Sequence, residues 1–117
     1  MKESIIQQKS FAFAIRIVNL YRYLAEEKKE HIISKQLMRS GTGIGANIAE
    51  SLRGASKKDF SNKMNIALKE ANESEYWLEL LRATEYLDEA QYKSMIEDCA
   101  EINKMLIAIV RTSNKTG

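Results

Sequence analysis

Few groups of residues in this chain have the types and spacing that chemistry requires. The run G-T-G-I-G-A at 41–46 gathers three of the five glycines, Gly41, Gly43 and Gly45. Glycine runs can bring backbone N–H groups onto a phosphate, but a phosphate-binding loop of that kind follows a strand and ends in Lys and Ser/Thr. This run has no strand before it and lacks both residues. The carboxylates of Glu50, Glu70 and Glu73 could approach one another for general acid–base work. With no cleft or partner acid beside them, hydrogen bonding within the fold is the better assignment. His31 is the only histidine, whereas a di-iron bundle needs an E-x-x-H pair from each of two helices. No C-x-x-C or H-E-x-x-H spacing exists, and one histidine in a charged turn supports no Ser-His-Asp constellation. The single cysteine, Cys99, has apolar neighbours at helical spacing and reads as a small core residue, not a nucleophile. The expectation is a protein with no catalytic residues, no metal and no cofactor, hence not an enzyme.

What, then, positions those glycines? If Gln36–Gly54 is a helix, each glycine in its middle costs about 0.5–1 kcal/mol relative to Ala, so something outside the helix must compensate. At about 100° per residue, one face carries Ile33, Leu37, Ile44, Ile48 and Leu52, with Gly41, Gly45 and Ala49 beside them, and is a core face. The opposite face carries Gln36, Ser40, Gly43, Asn47, Glu50 and Gly54, where an ordinary solvated surface would favour Lys, Glu, Gln and Ala. This choice of residues implies a second body close to the backbone, with Asn47 and Glu50 hydrogen-bonding to it. The plainer reading leaves those two simply exposed.

The pattern Q-x-x-R-S-x-x-G-x-x-x-N-I-A-E in this stretch, followed some twenty residues on by K-E-A-N-E-S-E-Y-W-L, resembles the four-helix-bundle family encoded by intervening sequences in bacterial large-subunit rRNA genes. That family is similar to the accessory variability protein of diversity-generating retroelements. The resemblance spans nearly the whole chain and implies a four-helix bundle that assembles as a homopentamer. The retroelement relative binds nucleic acid and its reverse transcriptase, so RNA, DNA and a protein partner enter as expectations; most intervening-sequence members have no established activity. Ser51 stands where the family commonly has Gly after the acidic residue, and Gly43 where it often has Ser. Both exchanges are small for small.

The remaining elements are helical. Ser4 with Gln7 makes a capping box, followed by the stripe Ile6, Ser10, Phe13, Ile17, Leu20 and Leu24. A neighbouring stripe of Phe11, Ala14, Val18, Tyr21 and Ala25 widens the apolar surface enough for two partners. After the charged turn A-E-E-K-K-E-H, Ser34 is placed to cap the second helix, and Gly54 to end it as a C-cap. Ser56 with Asp59 opens the third helix, whose stripe runs Phe60, Met64, Ala67, Ala71, Ser74, Leu78 and Leu81. Its small middle suits the glycine-rich middle of the second helix. Ile66, Trp77, Leu80 and Thr84, interleaved with Glu70 and Glu73, form another face, which the other helices or a sister subunit must cover. Asp88 with Gln91 caps the fourth helix, carried by Tyr92, Met95, Cys99, Ile102, Leu106 and Ile109, and the tail R-T-S-N-K-T-G is expected to fray. The fold class is all-α: one domain over 1–117, an antiparallel up-down-up-down four-helix bundle. Candidate subunit-interface residues are Ser40, Gly43, Asn47, Glu50, Glu73 and Trp77.

Composition agrees. The chain's 117 residues suffice for one core, and with no proline and 44% apolar residues nothing interrupts long helices. No stretch approaches the roughly 18 apolar residues of a membrane span, and no apolar leader opens the chain. A cytoplasmic, membrane-independent protein is expected.

The net charge of +2 conceals an uneven distribution: residues 1–69 carry thirteen Lys/Arg against six Asp/Glu, and residues 70–117 carry five against ten. In an antiparallel bundle the chain start, the hairpin between the second and third helices and the chain end share one pole. Lys2, Lys9, Arg53, Lys57, Lys58, Lys63, Lys104, Arg111 and Lys115 belong near it, against Glu3, Glu50 and Asp59. The opposite pole mixes both signs. A basic pole repeated around a ring would attract RNA or DNA through its phosphates, with Arg53, Lys57, Lys58 and Lys63 as candidate contacts. Phe60, assigned to the core, leaves no aromatic platform for reading bases. Two alternatives stand beside this: an ordinary solvated lysine-rich end, and a scaffold that docks another protein without nucleic acid.

Overall fold

Each helix begins where a side chain replaces a missing backbone partner. In the computed structural model, which describes residues 4–54 and 56–116, Ser4 Oγ accepts from Gln7 N at 3.1 Å and opens α1, Ile5–Glu26. Ser56 Oγ accepts from Asp59 N at 3.1 Å and opens α3, Lys57–Ala83. Asp88 and Gln91 form the reciprocal box, Gln91 N donating to Asp88 Oδ1 at 2.7 Å and Asp88 N to Gln91 Oε1 at 2.9 Å. They open α4, Glu89–Thr116.

The start of α2, Ile33–Ser51, differs from expectation. Its cap is Glu30, whose carboxylate accepts from the N–H groups of Ile32, Ile33 and Ser34 at 3.0, 2.9 and 2.7 Å. Ser34 sits inside the helix and donates back to Glu30 O at 2.8 Å. A carboxylate can satisfy three of the orphan donors at this terminus, whereas a serine hydroxyl would reach one.

The end of α2 also departs from the expected boundary. The helix stops at Ser51, three residues before Gly54, and no glycine among the described residues has a positive φ. Gly54 sits in a close approach: a Cβ there would lie 3.3 Å from both Asp59 Cβ and Ser51 O, tighter than most such contacts. Because the turn starts early, Leu52 leaves the core face and is 46% exposed, while Ser51 is buried and donates to Ile48 O at 2.6 Å. The left-handed residues are Lys29 (φ 57°) and Glu85 (φ 67°). Glu85 ends α3 in a Schellman arrangement, with Tyr86 N donating to Leu81 O at 2.9 Å and Glu85 N to Arg82 O at 3.1 Å. Of the tail expected to fray, residues 111–116 form the last turn and a half of α4, and Gly117 lies outside the described residues.

Contacts along the helices give their directions. Gly41 and Gly45 of α2 face Ile17 and Ser10 of α1. Arg39 and Glu50 of α2 face Glu73 and Lys63 of α3. Asn72 and Ser61 of α3 face Asn103 and Asn114 of α4, and Lys9 and Arg16 of α1 pair with Glu101 and Asp98 of α4. In every pair the numbers rise on one helix as they fall on the other, so the bundle is antiparallel and each helix packs on its two neighbours. The longest helix, 28 residues, spans about 42 Å at 1.5 Å per residue, and the bundle measures 45 × 23 × 21 Å.

One buried cluster fills the centre, with Phe13, Ile17 and Leu24 of α1, Leu37, Ile44 and Ile48 of α2, Met64, Leu78 and Leu81 of α3, and Met95, Ile102 and Leu106 of α4. Trp77 and Phe60 are half-buried and pack against it.

Candidate nucleic-acid interface

The glycine-rich middle of α2 is packed by its own chain. An added Cβ at Gly41 would stand 2.7 Å from Ile17 Cγ1, and one at Gly43 would stand 2.9 Å from Glu70 Oε2. Ser40 is 0% exposed, and Ser74 Oγ donates to its hydroxyl at 2.9 Å. The second body close to this face is therefore α3. Ser40, expected at a contact between copies, is enclosed in its own bundle, because the turn of α2 that bears it faces the small middle of α3. Gly43 is half-buried beneath Glu70. Asn47 hydrogen-bonds one turn back within its own helix, Nδ2 donating to Gly43 O at 2.8 Å. Glu50 is exposed, with its carboxylate 3.7 Å from Lys63 Nζ.

Above this seam Arg39 joins two carboxylates. Its Nη1 donates to Glu70 Oε2 at 3.3 Å and its Nη2 to Glu73 Oε2, which also accepts from Trp77 Nε1 at 3.0 Å. Glu70 and Glu73 thus meet each other through a guanidinium, and Glu50 stands apart. This arrangement ties the two acids to one cation and orients their side chains. Sequence reasoning missed Arg39. The available signal was an E-x-x-E pair on α3 facing the arginine of the R-S motif.

Cys99 is fully buried and donates to Ala71 O at 3.5 Å. Burial, followed by the negative charges of Glu75 and Asp98, pushes its thiol up to about 12, far from a reactive thiolate. His31 is exposed in the α1–α2 turn. Among the described residues no group of three or more His, Cys, Asp or Glu could hold a metal ion, and no helix is long and apolar enough to cross a membrane.

At the pole formed by the α2–α3 turn, Arg53, Lys57 and Lys58 are all exposed, and none pairs with a carboxylate among the described residues. Lys57 and Lys58 are the first two residues of α3, held there by the Ser56 cap. Lys63 lies further along α3, drawn toward Glu50. Arg111 and Lys115 are exposed near the end of α4. Lys104 is eleven residues before Lys115, about 16 Å up the helix, and so belongs to the flank. Lys9 is engaged by Glu101 at 3.0 Å. Lys2 and Glu3 lie outside the described residues. At the far pole Glu30 is buried against backbone N–H groups, which removes one acid from that surface.

No curated protein matches the chain. Among solved structures it is similar to a protein of unknown function from the S23 ribosomal protein family of Bacteroides thetaiotaomicron VPI-5482, determined at 1.70 Å resolution. The two share 58% identity with a TM-score of 0.89, covering 91% of this chain and 98% of that one. Residues 2–108 match the model of the 23S rRNA-intervening sequence protein family, and the chain belongs to that family.

Proposed function

We propose that the protein is a non-enzymatic, homo-oligomeric helical bundle that holds RNA or DNA non-specifically through its basic pole. The observation that carries this reading is the exposed trio Arg53, Lys57 and Lys58, gathered at one turn with no carboxylate partner among the described residues. Long exposed cations, two of them on the first turn of a helix, neutralise phosphates and release counterions without reading sequence. Copies set side by side with poles aligned would multiply the patch, and avidity would rise with their number.

Filter binding in rising salt tests the reading. Three phosphate contacts per chain give a slope of log affinity against log salt of about −2 to −3. The triple variant Arg53→Glu, Lys57→Glu, Lys58→Glu should abolish retention while leaving the helical circular dichroism unchanged. Retention that does not respond to salt, or that survives the triple variant, would refute it. Light scattering on the same sample should return a multiple of 13.4 kDa. The second reading, a scaffold that docks another protein, is supported by Ile5, Phe11 and Ile15 of α1, at 64%, 68% and 50% exposed. Under that reading the same triple variant keeps partner capture intact.

A further inference from the structure

Where the first turn of α3 meets the last turns of α4, two concavities lie side by side at the basic pole. One is an apolar groove of about 480 Å³ lined by Lys57, Phe60, Ala108, Ile109, Thr112 and Ser113. The other is a shelf of about 530 Å³ whose lining residues, Lys57, Lys58, Ser61, Asn62 and Asn114 among them, carry polar groups at the ends of their side chains. Lys57 and Ser113 line both.

The groove follows from helix spacing. Lys57 and Phe60 are three residues apart and so neighbours on α3, as Ala108 and Thr112, four apart, are on α4. Ser61 Oγ donates to Asn114 Oδ1 at 3.3 Å and ties the two helices together at the shelf. Phe60, assigned to the core from its sequence pattern, packs against the core cluster and also lines the groove. The pole therefore does offer an aromatic surface beside its cations.

An occupant of both concavities must join an apolar, ring-shaped body to an anion through a polar connector. A nucleotide of an unpaired strand has that form, whereas in a duplex the base is already stacked and paired. The hydroxyl and amide side chains of Ser61, Asn62 and Asn114 offer donors and acceptors to a ribose 2′-OH. We infer that the groove takes an unpaired base of single-stranded RNA beside Phe60, with the adjoining phosphate on Lys57 and Lys58. This rests on the basic-pole reading above and narrows it to single strands.

The test compares a 12-nucleotide single-stranded RNA, a blunt RNA duplex of the same length and the corresponding single-stranded DNA by fluorescence anisotropy. The proteins are the full chain, Ala108→Trp, which fills the groove from an exposed position, and Phe60→Leu, which keeps apolar volume without the ring; circular dichroism checks that both fold. Expected are affinity for the RNA strand about tenfold above the duplex, a loss of about tenfold in either variant for the strand alone, and unchanged duplex binding. Equal affinity for strand and duplex, or no effect of either variant, would overturn the groove and leave the basic pole standing. Equal or tighter DNA binding would overturn the RNA assignment. Cosedimentation with phosphatidylglycerol vesicles that Ala108→Trp abolishes would place a lipid in the groove instead. Failure of all three nucleic acids to bind at low salt would refute the basic-pole reading itself.

Discussion

Ser74 donates a hydrogen bond to Ser40 at 2.9 Å in the middle of the α2–α3 seam, where both residues are 0% exposed. Two small hydroxyls let the helices approach and satisfy each other's polarity. Removing one leaves the other with only its own helix: Ser40 retains Leu37 O at 3.4 Å. Ser74→Ala and Ser40→Ala should each cost about 1–2 kcal/mol. The double variant should cost less than their sum by at least about 0.5 kcal/mol in urea unfolding. Simple additivity would show that the two hydroxyls do not support each other.

The glycines of α2 should behave oppositely when replaced by alanine. At Gly41 the new methyl would lie within 3.0 Å of three carbons of Ile17, itself 0% exposed, so the core must shift at a cost of about 1–3 kcal/mol. That exceeds the roughly 1 kcal/mol gained in helix propensity. At Gly45 the nearest atom is Ser10 O at 3.4 Å, an ordinary contact, and Gly45→Ala should be neutral or stabilising by up to about 1 kcal/mol. Thermal melts of the two variants in parallel check the ordering.

Glu30 makes stability depend on acid. Burial pushes its carboxyl up, but the N–H groups of Ile33, Ser34 and Ile32 outweigh that and hold it below its ordinary value of 4.5. A carboxyl whose folded value is depressed contributes stability fully present above the unfolded value. That stability is lost as pH falls through the folded one. Glu30→Gln should cost about 1–2 kcal/mol at pH 7, and its stability should fall less than that of the parent between about pH 5 and pH 3. Parallel acid dependences in the two proteins would contradict the capping role.

Glu85 holds a left-handed conformation at φ 67° as it closes α3. Glycine adopts that conformation without the Cβ penalty, so Glu85→Gly should stabilise by about 0.5–1 kcal/mol and Glu85→Ala should not. Urea midpoints of the two variants read the difference.

How far the sequence could be read depended on the range of the physics involved. The stripes of α1, α3 and α4 and the caps at Ser4, Ser56 and Asp88 are local, set by 3.6-residue spacing and by groups three residues apart, and they were legible. The partner of the Ser40–Gly43 face was not. Its proximity to α3 depends on how α2 rotates against two neighbours at once, and periodicity within one helix carries no record of that. Glu30 was hidden for a similar reason: in a run of charges nothing marks the one that turns inward. Phe60 belongs to the same class, since a stripe places a ring on the core side without saying whether the neighbouring helix leaves part of it uncovered. For the candidate site, the clustering of Arg53, Lys57 and Lys58 could be read from hairpin topology, whereas the pairing of Lys63 with Glu50 and of Lys9 with Glu101 depends on how neighbouring helices are rotated and aligned.

Helices adjacent in sequence are adjacent in space, and α1 against α4 is the sparsest of the four seams. The chain can therefore assemble by successive local hairpins with little loop-closure entropy, a low contact order that favours rapid folding. The circuit is thinnest where the first and final helices meet, so that boundary should be the first place where amide hydrogens exchange with solvent.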